Sequence, residues 1–146
     1  MTDHAQECDM TPPDNVATQL HWLSEDKDGT LATAVALLVG ERRRHTSVEG
    51  WTPEHDDEHR DGHLALAAAC YATPPDLRSR GGDTVAPELW PWAREWWKPG
   101  DGSYDGRIRE LTKAGSLILA ELERLLRAEI AERNAASSPA PELDWP

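Results

Sequence analysis

The stretch that decides the fold runs from Asp105 to Arg133 and reads DGRIRELTKAGSLILAELERLLRAEIAER. Its apolar residues recur at alternating spacings of three and four, which is the period of one face of an α-helix. The stripe comprises Ile108, Leu111, Gly115, Ile118, Leu122 and Leu125, and it is widened by Leu119, Leu126 and Ile130. The pairs Glu123 with Arg127 and Glu129 with Arg133 belong to the solvated side. The stretch predicts one long helix whose stripe is wider than a lone small bundle needs, which favours a homo-oligomer.

Two further helices are expected before this stretch. Thr30 is suited to be the N-cap of a helix over about 30–45. The apolar residues that share a face of that helix are Leu31, Val35, Leu38 and Val39. A second helix is expected over about 62–72, capped by Asp61, and no segment has the alternation of a strand. The predicted fold is all-α: a small bundle of three main helices, a Trp-rich irregular segment and disordered termini.

The acidic charge is concentrated at the two ends of the chain. Residues 1–29 hold seven acids and one base, and residues 134–146 hold two acids, so only −4 of the net −12 remains for residues 30–133. A DNA mimic needs a folded acidic face, and a nucleic-acid-binding protein needs a basic one. We therefore expect no nucleic-acid partner, a disordered leader over 1–15, a single helical domain over 16–133 with a short helical turn over 16–23, and a disordered tail over 134–146.

The sequence also predicts a cytoplasmic protein with no membrane partner. The longest apolar stretch, residues 31–39, falls well below the roughly 20 residues of a transmembrane helix. The N-terminus lacks the basic segment and apolar run of a signal peptide. The two cysteines, Cys8 and Cys70, do not form a disulfide framework and are expected to be reduced.

Two runs concentrate unusual side chains. Between Val48 and His63, nine acidic or histidine residues accompany Trp51. Between Leu89 and Pro99, four tryptophans at 90, 92, 96 and 97 accompany two cationic residues. Indoles are costly to expose, and carboxylates and imidazoles are costly to bury. Together the runs predict a polar pocket walled by indoles.

Several segments resemble a known family in sequence and in order. They are Glu41–Arg44, Ser47–Asp57, Leu64–Ala65 with Ala67–Ala72, Trp90–Trp92 with Trp96–Pro99, and Lys113–Gly115 with Leu117–Glu121 and Glu123–Leu125. They are similar to a family of small uncharacterised phage and prophage proteins. The match covers about residues 40–127, and the tails and the insert over 100–106 fall outside it. The resemblance implies a phage origin, the cytoplasm of an infected or lysogenic bacterial host, and an accessory role, but no established activity.

The leading hypothesis is a protein that captures a nucleotide or nucleotide-derived signal without turning it over and without a cofactor. Its candidate contacts are Arg42, Arg44, Trp51, His55, Asp56, Asp57, Trp92, Trp97 and Lys98. Trp51 and one or more of the other two indoles would stack on the base, while the cations would meet phosphates. The two aspartates or His55 would read ribose or base edges. With a phage origin, the protein would act as an anti-defence sponge for a cyclic or ADP-ribose-like messenger.

Other interpretations of the same residues stay open. Residues 54–59 also fit a loop before a helix, with acids that cap the helix and pair with Arg42 and Arg44. Two of the four clustered tryptophans also fit a core that has no Phe. A divalent metal site would use Glu54, Asp57 and His59.

The alternative functions are an enzyme and a protein-binding effector. Glu54-x-x-Asp57 fits the second acidic element of all-α nucleoside triphosphate pyrophosphohydrolases of the MazG type, which use Mg or Mn, but their first element is missing. An effector would instead bind a host factor through its helix faces or its acidic tails.

Overall fold

The computed structural model describes residues 25–78 and 86–138, and within those ranges it contains helices and no strand. The α-helices are α1 (Thr30–Ser47), α2 (Pro53–Asp57), α3 (His63–Ala72) and α4 (Tyr104–Ser137), and 3-10 turns lie at Pro75–Leu77 and Arg94–Trp96. The three long helices confirm the predicted all-α class. The expected leader, the helical turn over 16–23 and the tail from residue 139 lie outside the described residues.

The chain divides into two compact units, and the boundary falls within α1, after Val35. In the first unit, two aspartates build the start of α1. Asp28 accepts hydrogen bonds from the amide and hydroxyl of Thr30, at 3.1 and 2.7 Å, and Asp26 accepts from the next two amides. The helix begins at Thr30 as predicted, but the prediction that Thr30 is its N-cap is wrong, because the Thr30 hydroxyl donates to Asp28. The two carboxylates instead satisfy amides that the first turn leaves without backbone partners.

In the second unit, Thr52 and Gly62 start the two helices that follow α1. The Thr52 hydroxyl accepts a hydrogen bond from the amide of His55, and Pro53 occupies the first turn of α2, where its missing N–H has no cost. The prediction that Asp61 caps α3 is wrong. The residue before that helix is Gly62, at φ 75°, a left-handed conformation that favours glycine. Since glycine has no side chain, the helix begins without a side-chain cap.

The core forms where α3 packs along α4. Alanines 67 and 68 of α3 and alanines 114 and 120 of α4 are buried, and their small side chains let the helices approach closely. Tyr71 stacks on Trp97 with 4.6 Å between ring centroids, and Trp90 lies 5.1 Å from Trp97. Trp90 and Trp97 are both buried, which confirms that two of the four clustered tryptophans complete a core without Phe.

The long helix turns a different face inward from the one that its apolar stripe suggests. Its buried residues are Gly106, Glu110, Ala114, Ser116, Leu117 and Ala120. Seven stripe residues are about half exposed, because the alanine face of α3 fits the small residues on the other side of α4: Ile108, Leu111, Ile118, Leu122, Leu125, Leu126 and Ile130. Of the stripe, Gly115 meets another helix: a Cβ there would clash with the side chain of Leu38 on α1.

The end of α4 lies further along the chain than predicted. The helix continues to Ser137, four residues into the segment expected to be a tail. The ion pairs expected on its surface are present, with 3.9 Å between Arg127 and Glu123 and 2.6 Å between Arg133 and Glu129. None of the helices in the described ranges combines the length and apolarity that crossing a bilayer requires.

Candidate functional site

The two unusual runs meet at one cavity of about 440 Å³ in the second unit. The run after Val48 contributes Glu49, Trp51, His55, Asp56 and His59, and the tryptophan run contributes Trp90, Trp92, Ala93, Trp96 and Lys98. The helices contribute Glu41, Arg44 and His45 from α1, Leu64 and Tyr71 from α3, and Lys113 and Leu117 from α4. The convergence of the two runs, which the sequence could only suggest, is therefore present in the structure.

Aromatic rings form a continuous series of contacts around this cavity. Centroid distances are 4.7 Å for His45–Trp51, 6.2 Å for Trp51–His55, 5.0 Å for His55–His59, 5.7 Å for His59–Trp92 and 5.2 Å for Trp92–Trp90. The rings of Trp51 and His55 are stacked, with 9° between their planes. Rings that hold one another in place present a wall whose shape is set before a ligand arrives.

Two arginines pair with the carboxylates at the cavity. Asp56, only 1% exposed, binds the Arg42 guanidinium at 2.7 Å, and the same guanidinium binds Glu123 at 2.7 Å. Arg44 binds Glu41 at 2.8 Å and Glu49 at 2.5 Å, and its hydrogen bonds lower the pKa of Glu41. Each arginine is shared by two carboxylates, so part of the negative charge of these acids is left over.

Two lysines supply positive charge that is not matched in this way. Lys98 is exposed, and neither it nor Lys113 forms an ion pair within residues 25–78 and 86–138. The Lys113 ammonium donates to the carbonyl of Lys98 at 2.8 Å and lies 5.0 Å from the Tyr71 ring centroid. Burial lowers the pKa of Lys113. Both lysines line the cavity beside its aromatic wall, and the charge of Lys113 interacts with that of Glu41.

His45 adds a polar group that has no partner on one side. It is 3% exposed, its Nε2 lies 3.3 Å from the Glu41 carboxylate, and its Nδ1 has no hydrogen bond to any described residue. Burial lowers the pKa of this imidazole, so it is neutral at pH 7. Buried polar atoms are normally paired, and this nitrogen is an exception that is itself closed to solvent.

A buried carboxylate fastens the tryptophan run to α4. Glu110 accepts hydrogen bonds from Arg78 at 2.7 Å, Arg107 at 2.9 Å and the amide of Gly100 at 2.8 Å. Burial would raise the pKa of Glu110, but these hydrogen bonds and the Arg78 charge outweigh it and lower the pKa from 4.5 to about 2. Since Gly100 follows the run directly, Glu110 is a positioning residue for the cavity wall.

Six of the nine predicted contact residues line the cavity: Arg44, Trp51, His55, Asp56, Trp92 and Lys98. The other three lie elsewhere. Arg42 is buried against Asp56 and Glu123, Asp57 binds Arg127 at 2.7 Å, and Trp97 is enclosed in the core. Arg42 pairs with an acid of the 54–59 segment, as the alternative interpretation expected, whereas Arg44 pairs with Glu41 and Glu49 instead.

Sequence reasoning missed the lining residues that helices deliver, chiefly Glu41, His45, Tyr71 and Lys113. His45 directly follows the arginine triplet, and Lys113 opens a segment of the phage-family resemblance. A histidine or a lysine at these positions does not by itself indicate a binding site. Their role depends on which face of each helix turns inward, and that is decided by packing.

The proposed metal ligands do not form a cluster. In the part of the chain that the structure describes, no three His, Cys, Asp or Glu residues are placed to hold one metal ion together. Glu54 is exposed on α2, Asp57 binds Arg127, and His59 lines the cavity. These three side chains therefore do not fit a divalent metal.

Comparison with known proteins adds no family to these observations. No family model matches the chain, and searches of curated proteins and of solved structures gave no match either.

Proposed function

We propose that the protein captures a planar, anionic small molecule of the nucleotide class and does not turn it over. One observation carries the proposal: an aromatic wall and two lysines without ion-pair partners share a cavity whose carboxylates are already paired with arginines. A volume of about 440 Å³ is within the range of small-molecule sites.

Each part of the ligand has a counterpart in the cavity. Trp51 and Trp92 are the half-buried indoles that offer a surface to a base, and stacking contributes about 1–3 kcal/mol per base. The ammonium groups of Lys98 and Lys113 receive phosphate oxygens. His55, which lines the cavity, then reads an edge of the base or ribose.

Capture is favoured over turnover because no complete catalytic set surrounds the cavity within the described ranges. The thiol of Cys70 is buried in the core, and burial raises its pKa, so it is a poor nucleophile. The acids are held by arginines, which limits their use as bases.

The phage resemblance extends the proposal to a biological role. A protein that binds a nucleotide messenger and keeps it intact lowers the free concentration of that messenger. In the cytoplasm of an infected bacterium, such a sponge would blunt a defence response that a cyclic or ADP-ribose-like messenger triggers. We also propose that the protein acts as a homo-oligomer.

Calorimetry with a panel of mononucleotides, cyclic dinucleotides and ADP-ribose tests the proposal, with chromatography of the ligand afterwards. We expect binding of at least one member and its recovery unchanged. Lys98→Ala should weaken binding about tenfold, while Arg109→Ala, an exposed cation outside the cavity lining, should not. Failure of every member to bind, or its conversion to product, contradicts the proposal.

A further inference from the structure

We infer that the chain forms a homodimer through the outer face of α4. This face, the α4 seam, comprises Ile108, Leu111, Ile118, Leu122, Leu125, Leu126 and Ile130. Gly115 follows the same repeat but lies against Leu38 of α1, so it is not part of the seam. Each of the seven side chains is between 43 and 56% exposed. They lie on the side of α4 that turns away from α3, while Lys113 and Leu117 turn toward the cavity.

The exposed apolar area of the seam approaches the area that each partner buries in a standard interface. Seven half-exposed aliphatic side chains present on the order of 600 Å², compared with roughly 800 Å² per partner in a standard interface. That value reaches the upper end of the roughly 300–600 Å² of the largest apolar patch on a typical monomer. A second copy would contribute the same area, because a two-fold interface uses one surface twice.

The spacing of the seam selects a helix as its partner. Positions 108, 111, 118, 122 and 125 fit the alternating three-and-four spacing of a coiled coil, in which each apolar side chain inserts between residues of a facing helix. The remaining position of the repeat, Gly115, lies against Leu38 of α1. From Ile108 to Ile130 the seam is about 33 Å long. A second α4 has the length and the same repeat of apolar residues that this surface requires.

The second half of α4 buries less than its first half. The last buried residue of this helix is Ala120, although the helix continues to Ser137. Beyond Ala120 the helix is held by ion pairs of Glu123 with Arg42 and of Arg127 with Asp57. Leu122, Leu125, Leu126 and Ile130 all fall within this half, so pairing with another copy would cover its apolar side.

The apolar segment over residues 16–23 of the same chain is too short to cover the seam. Eight residues reach about 12 Å as a helix and at most roughly 28 Å when fully extended. A second copy is therefore the occupant that the length and repeat of the seam favour. The dimer leaves the cavity residues free, because none of the seven seam side chains lines the cavity.

Sedimentation equilibrium of the full chain tests the dimer. We expect a mass of twice 16.2 kDa for the wild type and 16.2 kDa for Ile118→Glu and Leu122→Glu. Both side chains are half exposed in the monomer, so circular dichroism should show helix content retained. Leu77→Glu, at a side chain 75% exposed outside the seam, should remain dimeric.

Three outcomes overturn the inference. The first is a monomeric wild type at every concentration, and the second is a dimer that both seam variants leave intact. The third is a monomer that begins to self-associate when residues 1–24 are deleted, which would identify that segment as the occupant. Ligand binding by the wild type and the seam variants is a separate measurement. If none of these proteins binds a ligand, the proposed capture function is contradicted but the dimer is not.

Discussion

Replacing Glu110 by glutamine removes the charge on which two arginines and a backbone amide converge. The side chain keeps its shape, but Arg78 and Arg107 lose the carboxylate at 2.7 and 2.9 Å. Arg78 is the more serious loss, because its side chain is 3% exposed and its Nε already has no hydrogen-bond partner among the described residues. The variant therefore leaves a charged group buried without its counter-ion.

Two routes give a similar magnitude for this loss. The fall in the Glu110 pKa from 4.5 to about 2 corresponds to about 3 kcal/mol of folding free energy at neutral pH. Removing one partner of a buried ion pair generally costs about 3–5 kcal/mol. We therefore expect Glu110→Gln to lower the free energy of unfolding by about 3 kcal/mol at pH 7.

The pH dependence has a defined sign. Because the pKa of Glu110 is lower in the folded state, its stabilising contribution is complete above pH 4.5 and is lost as the pH falls through about 2. The difference between wild type and Glu110→Gln should therefore be constant near neutrality, narrow below pH 4.5 and vanish below about 2.

Urea denaturation followed by tryptophan fluorescence measures this difference at each pH. Glu132→Gln is the matched control, since Glu132 is an exposed carboxylate on the same helix and its replacement should change stability by less than about 0.5 kcal/mol. A loss below about 1 kcal/mol at pH 7, or a difference that does not narrow in acid, would refute the account of Glu110.

Three further predictions concern other residues. Burial lowers the pKa of Lys113, so this side chain should lose its positive charge at a lower pH than an ordinary lysine does. The affinity for an anionic ligand, measured by calorimetry between pH 7 and 11, should fall over that range, and Lys113→Met should remove this fall. Burial also lowers the pKa of His45, so the stabilising contribution of this imidazole is complete above pH 6.5 and is lost as the pH falls through the pKa of the folded state. The melting temperature of His45→Gln should therefore depend less on pH below 6.5 than that of the wild type. Gly115→Ala places the added Cβ against the methyl ends of the flexible Leu38 side chain, and alanine gains about 1 kcal/mol over glycine in a helix, so urea denaturation should show a change of less than about 1 kcal/mol. Gly40→Ala, with nothing within 4 Å of the added Cβ, should stabilise the protein by about 1 kcal/mol.

The sequence predicted the helices better than it predicted their faces. The period of α4 acts locally, so the existence of this helix could be read from neighbouring residues. The short helix α2 was not predicted, because residues 54–59 were interpreted as a loop before α3. The Asp61 cap failed because Gly62 takes the left-handed conformation and moves the start of α3 by one residue. The apolar stripe predicted a helix, but the alanine face of α3 selected the opposite side of α4 for burial.

The candidate cavity was predictable in composition and less so in its contacts. Trp51, His55 and Trp92 were identified because indoles and charged groups share two short runs. Arg42 was a reasonable phosphate contact in sequence, but its partners Asp56 and Glu123 come from separate elements that only packing brings together. Lys113 was missed for the same reason, since a lysine on an amphipathic helix usually belongs to the solvated side.

The central claim is that the aromatic cavity holds a nucleotide-like ligand. A crystal structure of the protein with a panel member that binds in solution tests it most directly. The account predicts a base against the Trp51 or Trp92 ring and phosphate oxygens within about 3 Å of the Lys98 or Lys113 ammonium. A ligand bound elsewhere on the protein, with the cavity unoccupied, would contradict it.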